Sequence, residues 1–303
     1  MALAPKPKTA AGYSLEHADA CEQVLVTLLG AFGGLKSTLR LVGGLVPRYL
    51  TPQMPPDVPP HFGTSDVDIV LNLQVIAEGN GYVSLAQQLK DRGFEPFEDD
   101  NGWKSAWRWM RKLSEKEYVL VEFLRGADAQ CRAFDIKLLD GEAVSALAIE
   151  HAEIVHDWFD SREIKAPLLD EGGISIEVIR YADVVAFIIL KALAFDSRGE
   201  PKDAGDLLHV MRYAGPPDYI AAKFIDKFLS GQHRPALLAG LDALQKKFAE
   251  GNGVEGYELT GPVKYAQFLF GRGEEQTDER VAAQRYASGL VTHVLELIRE
   301  GTA

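Results

Sequence analysis

Two aspartates open an otherwise apolar strand in the segment 66–71, which reads DVDIVL. Residues i and i+2 of a strand point to the same face, so Asp66 and Asp68 project side by side with their backbones roughly 6–7 Å apart. Two negative charges at that distance repel each other unless a cation lies between them. Magnesium is usually bound by one or two carboxylates together with substrate phosphates. The pair therefore predicts a divalent-metal site for Mg²⁺ or Mn²⁺.

A glycine pair and a basic residue precede the two aspartates. The predicted strand 38–42 ends in Gly43-Gly44, and Arg48 follows four residues later. Glycine removes the side chain where the backbone turns tightly or where a ligand approaches it. A proline-rich linker over 52–60 then leads to Ser65, directly before the aspartates. A plain turn is the alternative interpretation of the glycine pair, but its closeness to the acidic pair and to Arg48 favours a binding role.

A third carboxylate is expected on another strand. The segments 105–112 and 118–125 alternate as two antiparallel strands joined by the polar turn 113–117. In the second strand Glu122 is a lone carboxylate among apolar neighbours, which fits a third metal ligand delivered beside the aspartates. A solvent-facing glutamate on an edge strand is the alternative interpretation. Asp135, in the strand predicted over 131–139, is the second candidate for the same role.

A second group of charges lies far downstream. Lys191 interrupts a helix that is otherwise apolar from Val184 to Phe195. Burial of an unpaired ammonium costs several kcal/mol, so this lysine either reaches solvent or faces an anion. The segment 202–207, KDAGDL, then places Asp203 and Asp206 near a predicted helix start, where carboxylates can cap the helix. Capping explains one of the two aspartates but not the accompanying cations.

Composition bounds the class of protein. The chain has 303 residues, 47% of them hydrophobic, and a net charge of −12, with a pI of about 5.1. This charge argues against a protein that coats nucleic acid through bulk positive charge. Cys21 and Cys131 are the two cysteines, and their spacing predicts reduced thiols. We recognise neither a signal peptide nor a membrane span, which predicts a cytoplasmic protein without a membrane partner.

The elements that position these residues predict an α+β chain. A helix over 14–32 has apolar residues at helical spacing, and a second is predicted over 83–94. The segment 103–112 is an aromatic and basic cluster that could stack bases or bind phosphate, although ordinary sheet packing explains it equally well. Residues 217–303 read as helices. We predict a core domain over 14–165 and a helical domain over 166–303, which contributes Lys191 to Asp206.

Three sequence features together resemble a known family. The glycine pair 43–44, DVD at 66–68 and KALAFDSRGEPKDAGDL at 191–207 look like the AbiEii-type toxin family of the polymerase-β-like nucleotidyltransferase superfamily. The last of these motifs is the most specific. The resemblance covers roughly residues 20–215 and implies a nucleotidyltransferase-like mixed sheet with flanking helices. The C-terminal helical region follows this part of the chain and is not covered by the resemblance.

The resemblance also implies an activity and residue roles. Members of the family bind a nucleoside triphosphate through metal ions and transfer its nucleotidyl group to an acceptor hydroxyl. Asp66 and Asp68 would bind the metal with Glu122, which is also the candidate for accepting the hydroxyl proton. The other residues carried over would contact the triphosphate or form the downstream acidic element, and they are Gly43, Gly44, Arg48, Ser65, Lys191, Lys202, Asp203 and Asp206. The sequence departs from the superfamily in having Gly-Gly for Gly-Ser, a long proline-rich spacer and, if Glu122 is the third carboxylate, a glutamate in that place.

Two classes of function follow. In the first the protein is an active nucleotidyltransferase that modifies RNA such as tRNA, or a protein hydroxyl, as a toxin-like enzyme with a possible antitoxin partner. In the second the fold is a binding module that holds a nucleotide or a partner protein without turnover. A small-molecule acceptor such as an aminoglycoside is a third possibility, since an acidic protein suits a cationic substrate.

Overall fold

The computed structural model describes residues 6–52, 54, 57–72, 85–115, 117–128, 132–138, 144–170, 172–251, 253 and 255–303. Cys131 lies outside these residues, so the prediction about its thiol is not addressed. The chain divides into two compact units. The sheet unit comprises Met1–Lys6, Ser14–Val46 and Gly63–Ala182, and the helical unit comprises Pro7–Tyr13, Pro47–Phe62 and Asp183–Ala303.

The helices and strands have the following bounds. The strands are β1 (Arg40–Val42), β2 (Asp66–Val70), β3 (Phe94–Glu98), β4 (Lys104–Lys112), β5 (Tyr118–Gly126), β6 (Ile136–Leu138), β7 (Ser145–Ile149), β8 (Phe159–Pro167) and β9 (Ile174–Ala182). The α-helices are α1 (Leu15–Phe32), α2 (Pro47–Leu50), α3 (Leu85–Asp91), α4 (Val184–Arg198), α5 (Pro201–Tyr213), α6 (Pro217–Ser230), α7 (Arg234–Lys247), α8 (Thr260–Phe270) and α9 (Thr277–Thr302).

The strands of the sheet unit form one mixed sheet. Its order is β3-β4-β5-β2-β1-β9-β8, and β7 pairs with both β5 and β6. The centre is mixed in direction, because β2 runs parallel to β5 but antiparallel to β1. The two aspartates therefore lie on a strand that has neighbours on both sides, and not at an edge of the sheet.

Helix α1 covers one face of this sheet. Ser14 caps it by accepting a hydrogen bond from the His17 backbone N–H at 3.0 Å. Its apolar stripe is buried, and Phe32 at its end meets Phe123 of β5 with the ring centroids 5.9 Å apart. Side chains alternate between the faces of a strand, so Glu122 lies on the face opposite to Phe123.

Within the described ranges of the chain, one helical stretch, Leu15–Thr38, is long and apolar enough to cross a membrane by length and composition. From the sequence, no membrane span was expected there. More than half of its most apolar window, 56%, is buried inside the structure, and the core helix of a soluble protein passes the same test. The stretch is thus weak evidence for a membrane span.

The longest segment of the helical unit, Asp183–Ala303, begins where β9 ends. Asp183 caps α4 by accepting a hydrogen bond from the Ala186 backbone N–H at 2.9 Å. Gly199, with a φ of 62°, ends the helix in the left-handed conformation that glycine adopts without a steric penalty. Pro201 at the first turn of α5 restarts the helical chain directly afterwards. This helix–turn–helix brings Lys191 of α4 and the aspartates of α5 into one cluster.

The predicted fold class is confirmed: the chain combines a mixed sheet and flanking helices with a C-terminal helical region. The division between the units lies at Asp183 and not at residue 166, because β8 and β9 continue the sheet. The segment Pro47–Phe62 belongs to the helical unit, although it was predicted within the core domain. The strand expected over 131–139 is described only as the short β6.

Candidate functional site

Three carboxylates of the sheet unit converge on the face that α1 does not cover. Asp66 and Asp68 lie on β2, and Glu122 lies on β5 with its Cα paired to that of Asp68. One carboxylate oxygen from each of the three lies within 4.8 Å of the others. Asp66 is buried and the other two are half-buried. This acidic cluster is a set of hard oxygen donors that fits a divalent cation such as Mg²⁺.

Gly43 is pressed against the acidic cluster from β1. The last residue of β1, Val42, pairs with Asp68 across the sheet. Gly43 has a φ of +73°, and a Cβ added to it would come within 2.7 Å of the Asp68 Cγ and would overlap the carboxylate. The structure therefore requires glycine at this position for both its backbone conformation and its lack of a side chain. Gly44 is buried beside it and is not among the glycines with a positive φ.

Among the described residues, Lys6 and Arg108 bring positive charge to the acidic cluster. The Lys6 ammonium forms an ion pair with Asp66. Burial acts to lower the pKa of Lys6, but the charges of Asp66 and Asp68 outweigh it and raise the pKa above its usual value. On the other side, Arg108 Nε–H donates to Glu122 Oε1 at 2.8 Å. Two of the three carboxylates, Asp66 and Glu122, are thereby partly neutralised within the sheet unit.

Hydrogen bonds also orient the acidic cluster. The Thr64 hydroxyl, which is buried, donates to Asp66 Oδ1 at 2.7 Å. Ser65 lies half-buried at the bend directly before β2. Asp135 is exposed, and its carboxylate accepts a hydrogen bond from the Arg132 backbone N–H at 3.0 Å. Of the two candidates for the third carboxylate, the structure brings Glu122 and not Asp135 to the aspartates.

The downstream residues form a separate ionic network inside the helical unit. Lys191 is buried, and its ammonium donates to Asp203 Oδ1 at 3.1 Å and to Asp206 Oδ2 at 2.8 Å. Burial acts to raise the pKa values of both aspartates, but the charge of Lys191 holds them below their usual range. The anion that the sequence predicted for Lys191 is therefore supplied by two aspartates of the same network. Its predicted contact with a triphosphate stays a prediction.

Three further side chains complete this network. Lys202 donates to Asp206 Oδ1 at 2.8 Å, and Arg198 donates to Asp203 Oδ2 at 2.6 Å. His61 Nε2 lies 2.8 Å from Asp206 Oδ1. Burial lowers the pKa of His61, so the neutral ring donates its Nε2–H to the ionised aspartate. Arg48 lies half-buried on α2 of the same unit.

Two residues of these clusters, Lys6 and His61, were not predicted from the sequence, and neither was the pairing of Arg108 with Glu122. Only the pairing of Arg108 left a usable signal. A turn over 113–117 pairs Lys112 with Tyr118, and counting back along both strands places Arg108 opposite Glu122, which is the register that the structure shows. Lys6 and His61 lie far in sequence from their partners and carry no pattern that points to them.

Comparisons with known proteins add little. No protein-family model matches the chain, and no curated protein is similar to it. Among solved structures the chain is similar to the crystal structure of JHP933 from Helicobacter pylori, with 12% sequence identity and a TM-score of 0.38 over 94% of this chain and 95% of that one. A TM-score this low carries no argument about function.

Proposed function

We propose that the protein is a metal-dependent nucleotidyltransferase that moves a nucleotidyl group from a nucleoside triphosphate to an acceptor hydroxyl, with Mg²⁺ or Mn²⁺ as its cofactor. The observation that carries the proposal is the acidic cluster, in which three carboxylate oxygens lie within 4.8 Å of one another. The close packing of Gly43 against Asp68 and the resemblance of residues 43–44, 66–68 and 191–207 to nucleotidyltransferases support it.

The donor set fits the proposed cation. Asp66, Asp68 and Glu122 offer only oxygen ligands, which Mg²⁺ and Mn²⁺ prefer. The bound cation would supply positive charge to the attacking and leaving oxygens of the phosphoryl group. The aspartates would hold it, and the Thr64 hydroxyl keeps the Asp66 carboxylate oriented. The proposed acceptor is RNA, with tRNA as the leading candidate.

Glu122 is proposed to accept the proton of the acceptor hydroxyl. Arg108 binds its Oε1, and within the described part of the chain Oε2 has no hydrogen-bond partner. A carboxylate held on one oxygen and open on the other is suited to take a proton from a hydroxyl within hydrogen-bond reach. Like the metal-binding role, this one rests on the proposed reaction.

A toxin-like role with an antitoxin protein as partner belongs to the same proposal and rests on the resemblance. The cytoplasm is its proposed location. The competing function is a non-catalytic module that binds a nucleotide or a protein. The ion pairs of Lys6 and Arg108 with the acidic cluster favour this alternative, because they neutralise carboxylates without a metal.

The test is transfer of label from each α-³²P nucleoside triphosphate to total RNA in the presence of Mg²⁺. Asp68→Asn preserves the shape of the side chain and removes its charge, so it is expected to abolish transfer. Glu163→Gln is the matched control, because Glu163 is exposed on β8, and it is expected to behave as wild type. Transfer that persists in Asp68→Asn would refute the proposal that the acidic cluster catalyses it. Binding of a triphosphate by the wild type without any transfer would support the non-catalytic module.

A further inference from the structure

The side chain of Arg108 is held on the acidic face of the sheet by contacts with Glu122 and Trp107. Arg108 lies opposite Glu122 in the pairing of β4 with β5, and its Nε–H donates to Glu122 Oε1 at 2.8 Å. The guanidinium carbon lies 4.1 Å from the ring centroid of Trp107, which is a cation–π distance. The side chain is 33% exposed. A guanidinium that is fixed in place and still open to solvent is pre-organised for a ligand.

Most of the donors of Arg108 are unused. A guanidinium presents five N–H groups in a rigid fork and stays protonated in proteins. Only Nε–H has a partner among the described residues. The two terminal nitrogens therefore offer N–H groups with the geometry that binds two oxygens of a phosphate.

The charge of this face depends on a metal. Lys6 and Arg108 set two positive charges against the three carboxylates of the acidic cluster, so these five groups together carry one net negative charge, which repels a phosphate. A bound divalent cation reverses the sign. Anion binding at Arg108 is therefore expected to require the metal.

Other cations suggested by the sequence are less available for this role within the sheet unit. Lys191 and Lys202 belong to the helical unit, and both bind aspartates there. Arg111 of β4 is buried and binds Asp170 and the Lys112 carbonyl. Among these basic residues, Arg108 alone lies against a residue of the acidic cluster.

We propose that Arg108 binds a phosphate group of the substrate beside the metal, so that the acidic cluster and Arg108 together form a site for a metal–polyphosphate complex. The proposal rests on the proposed function and names the part of the substrate that this face recognises. Trp107 restrains the guanidinium, and Glu122 sets its position.

The test is calorimetric titration of the full chain with inorganic tripolyphosphate in excess Mg²⁺, beside a titration with Mn²⁺ alone that is followed by electron paramagnetic resonance. Arg108→Gln is expected to weaken tripolyphosphate binding roughly 10- to 100-fold, since it removes a charged hydrogen-bonding group. It is expected to leave Mn²⁺ binding equal or tighter, since it removes a like charge from the metal site. Arg108→Lys keeps the positive charge but lacks the paired N–H groups of a guanidinium. Its tripolyphosphate affinity is therefore expected to lie between those of the wild type and Arg108→Gln.

Arg162→Gln is the matched control, because Arg162 is exposed on β8, and it is expected to bind both ligands as wild type does. Equal weakening of Mn²⁺ and tripolyphosphate in Arg108→Gln would show that Arg108 only positions Glu122 and would overturn the proposal. The phosphate-binding proposal would also be overturned, with the metal site unaffected, by either of two results. Arg108→Gln could bind tripolyphosphate as tightly as wild type, or the wild type could bind Mn²⁺ but no tripolyphosphate. A wild type that binds no Mn²⁺ would overturn the proposed function as well. If Arg108→Gln does not fold, Arg108→Lys serves as the test variant. Tripolyphosphate binding by Arg108→Lys in Mg²⁺ as tight as that of wild type would then count against recognition of phosphate by the guanidinium.

Discussion

Substitution of Gly43 by alanine violates both constraints that the structure places on this residue, its backbone conformation and its lack of a side chain. The backbone φ of +73° lies in the left-handed region, and the added Cβ would lie 2.7 Å from the Asp68 Cγ and 3.0 Å from its Cβ. The left-handed conformation costs an L-residue about 1–2 kcal/mol, and inserting a methyl group into a packed site costs about 1–3 kcal/mol. Gly43→Ala is therefore expected to lower the free energy of unfolding by about 2–5 kcal/mol.

Two other glycines of the sheet unit serve as controls for Gly43→Ala. Gly173 has a φ of +83° and nothing within 4 Å of an added Cβ, so Gly173→Ala carries the backbone penalty alone. Gly34 also has nothing within 4 Å, and its φ is not positive, so Gly34→Ala is expected to be neutral or slightly stabilising. Urea denaturation measures all three variants, and titration with Mn²⁺ measures the metal site. If Gly43→Ala cost no more than Gly173→Ala and bound Mn²⁺ as wild type does, the inferred packing of Gly43 on Asp68 would be wrong.

Three further predictions concern charges. Lys6→Met is expected to tighten Mn²⁺ binding by roughly two- to five-fold, because the metal must displace the Lys6 ammonium and a partly exposed ion pair is worth about 0.2–1 kcal/mol. Electron paramagnetic resonance measures this affinity, and an unchanged value would show that Lys6 does not compete with the metal. Lys191→Met leaves two buried carboxylates short of a cation and is expected to destabilise the protein by about 3–5 kcal/mol in urea denaturation, whereas Lys246→Met, which breaks an exposed pair, is expected to cost less than about 1 kcal/mol. Burial, with a smaller contribution from His61, lowers the pKa of His209 to about 3. The unfolded chain, in which this histidine has its ordinary pKa of about 6.5, therefore takes up a proton at a higher pH than the folded chain does. The free energy of unfolding is expected to drop by about 2 kcal/mol between pH 6.5 and 5, and by less in His209→Phe. An equal drop in His209→Phe would assign the pH dependence to other groups.

Local patterns predicted much of the sheet unit. The alternation on both sides of the turn 113–117 gave the β4–β5 hairpin, and the apolar spacing of residues 14–32 gave α1 with Ser14 at its cap. Strand β8 was missed because four of its first five residues are exposed, so it lacks the alternation that marks a strand with one buried face. Hydrophobic periodicity reports burial, and an exposed edge strand has little of it.

The candidate site was predictable in its residues but not in its partners. The cost of placing Asp66 beside Asp68 pointed to a neutralising cation, but the parallel pairing of β2 with β5 is a long-range contact that no local pattern encodes. Lys191 was expected to face an anion, and the structure supplies Asp203 and Asp206 from the next helix. A sequence shows that a buried charge needs a partner, whereas the fold decides whether that partner is a ligand or another side chain.

The most direct test of the central claim is Mn²⁺ binding to the acidic cluster, measured by electron paramagnetic resonance of the free ion. We expect the wild type and Glu163→Gln to bind Mn²⁺ and to release it to excess Mg²⁺, because both ions prefer oxygen ligands. Asp68→Asn, which removes the carboxylate charge between Gly43 and Glu122, is expected to lose this binding. Equal Mn²⁺ binding by wild type and Asp68→Asn would contradict the assignment of a metal site to Asp66, Asp68 and Glu122.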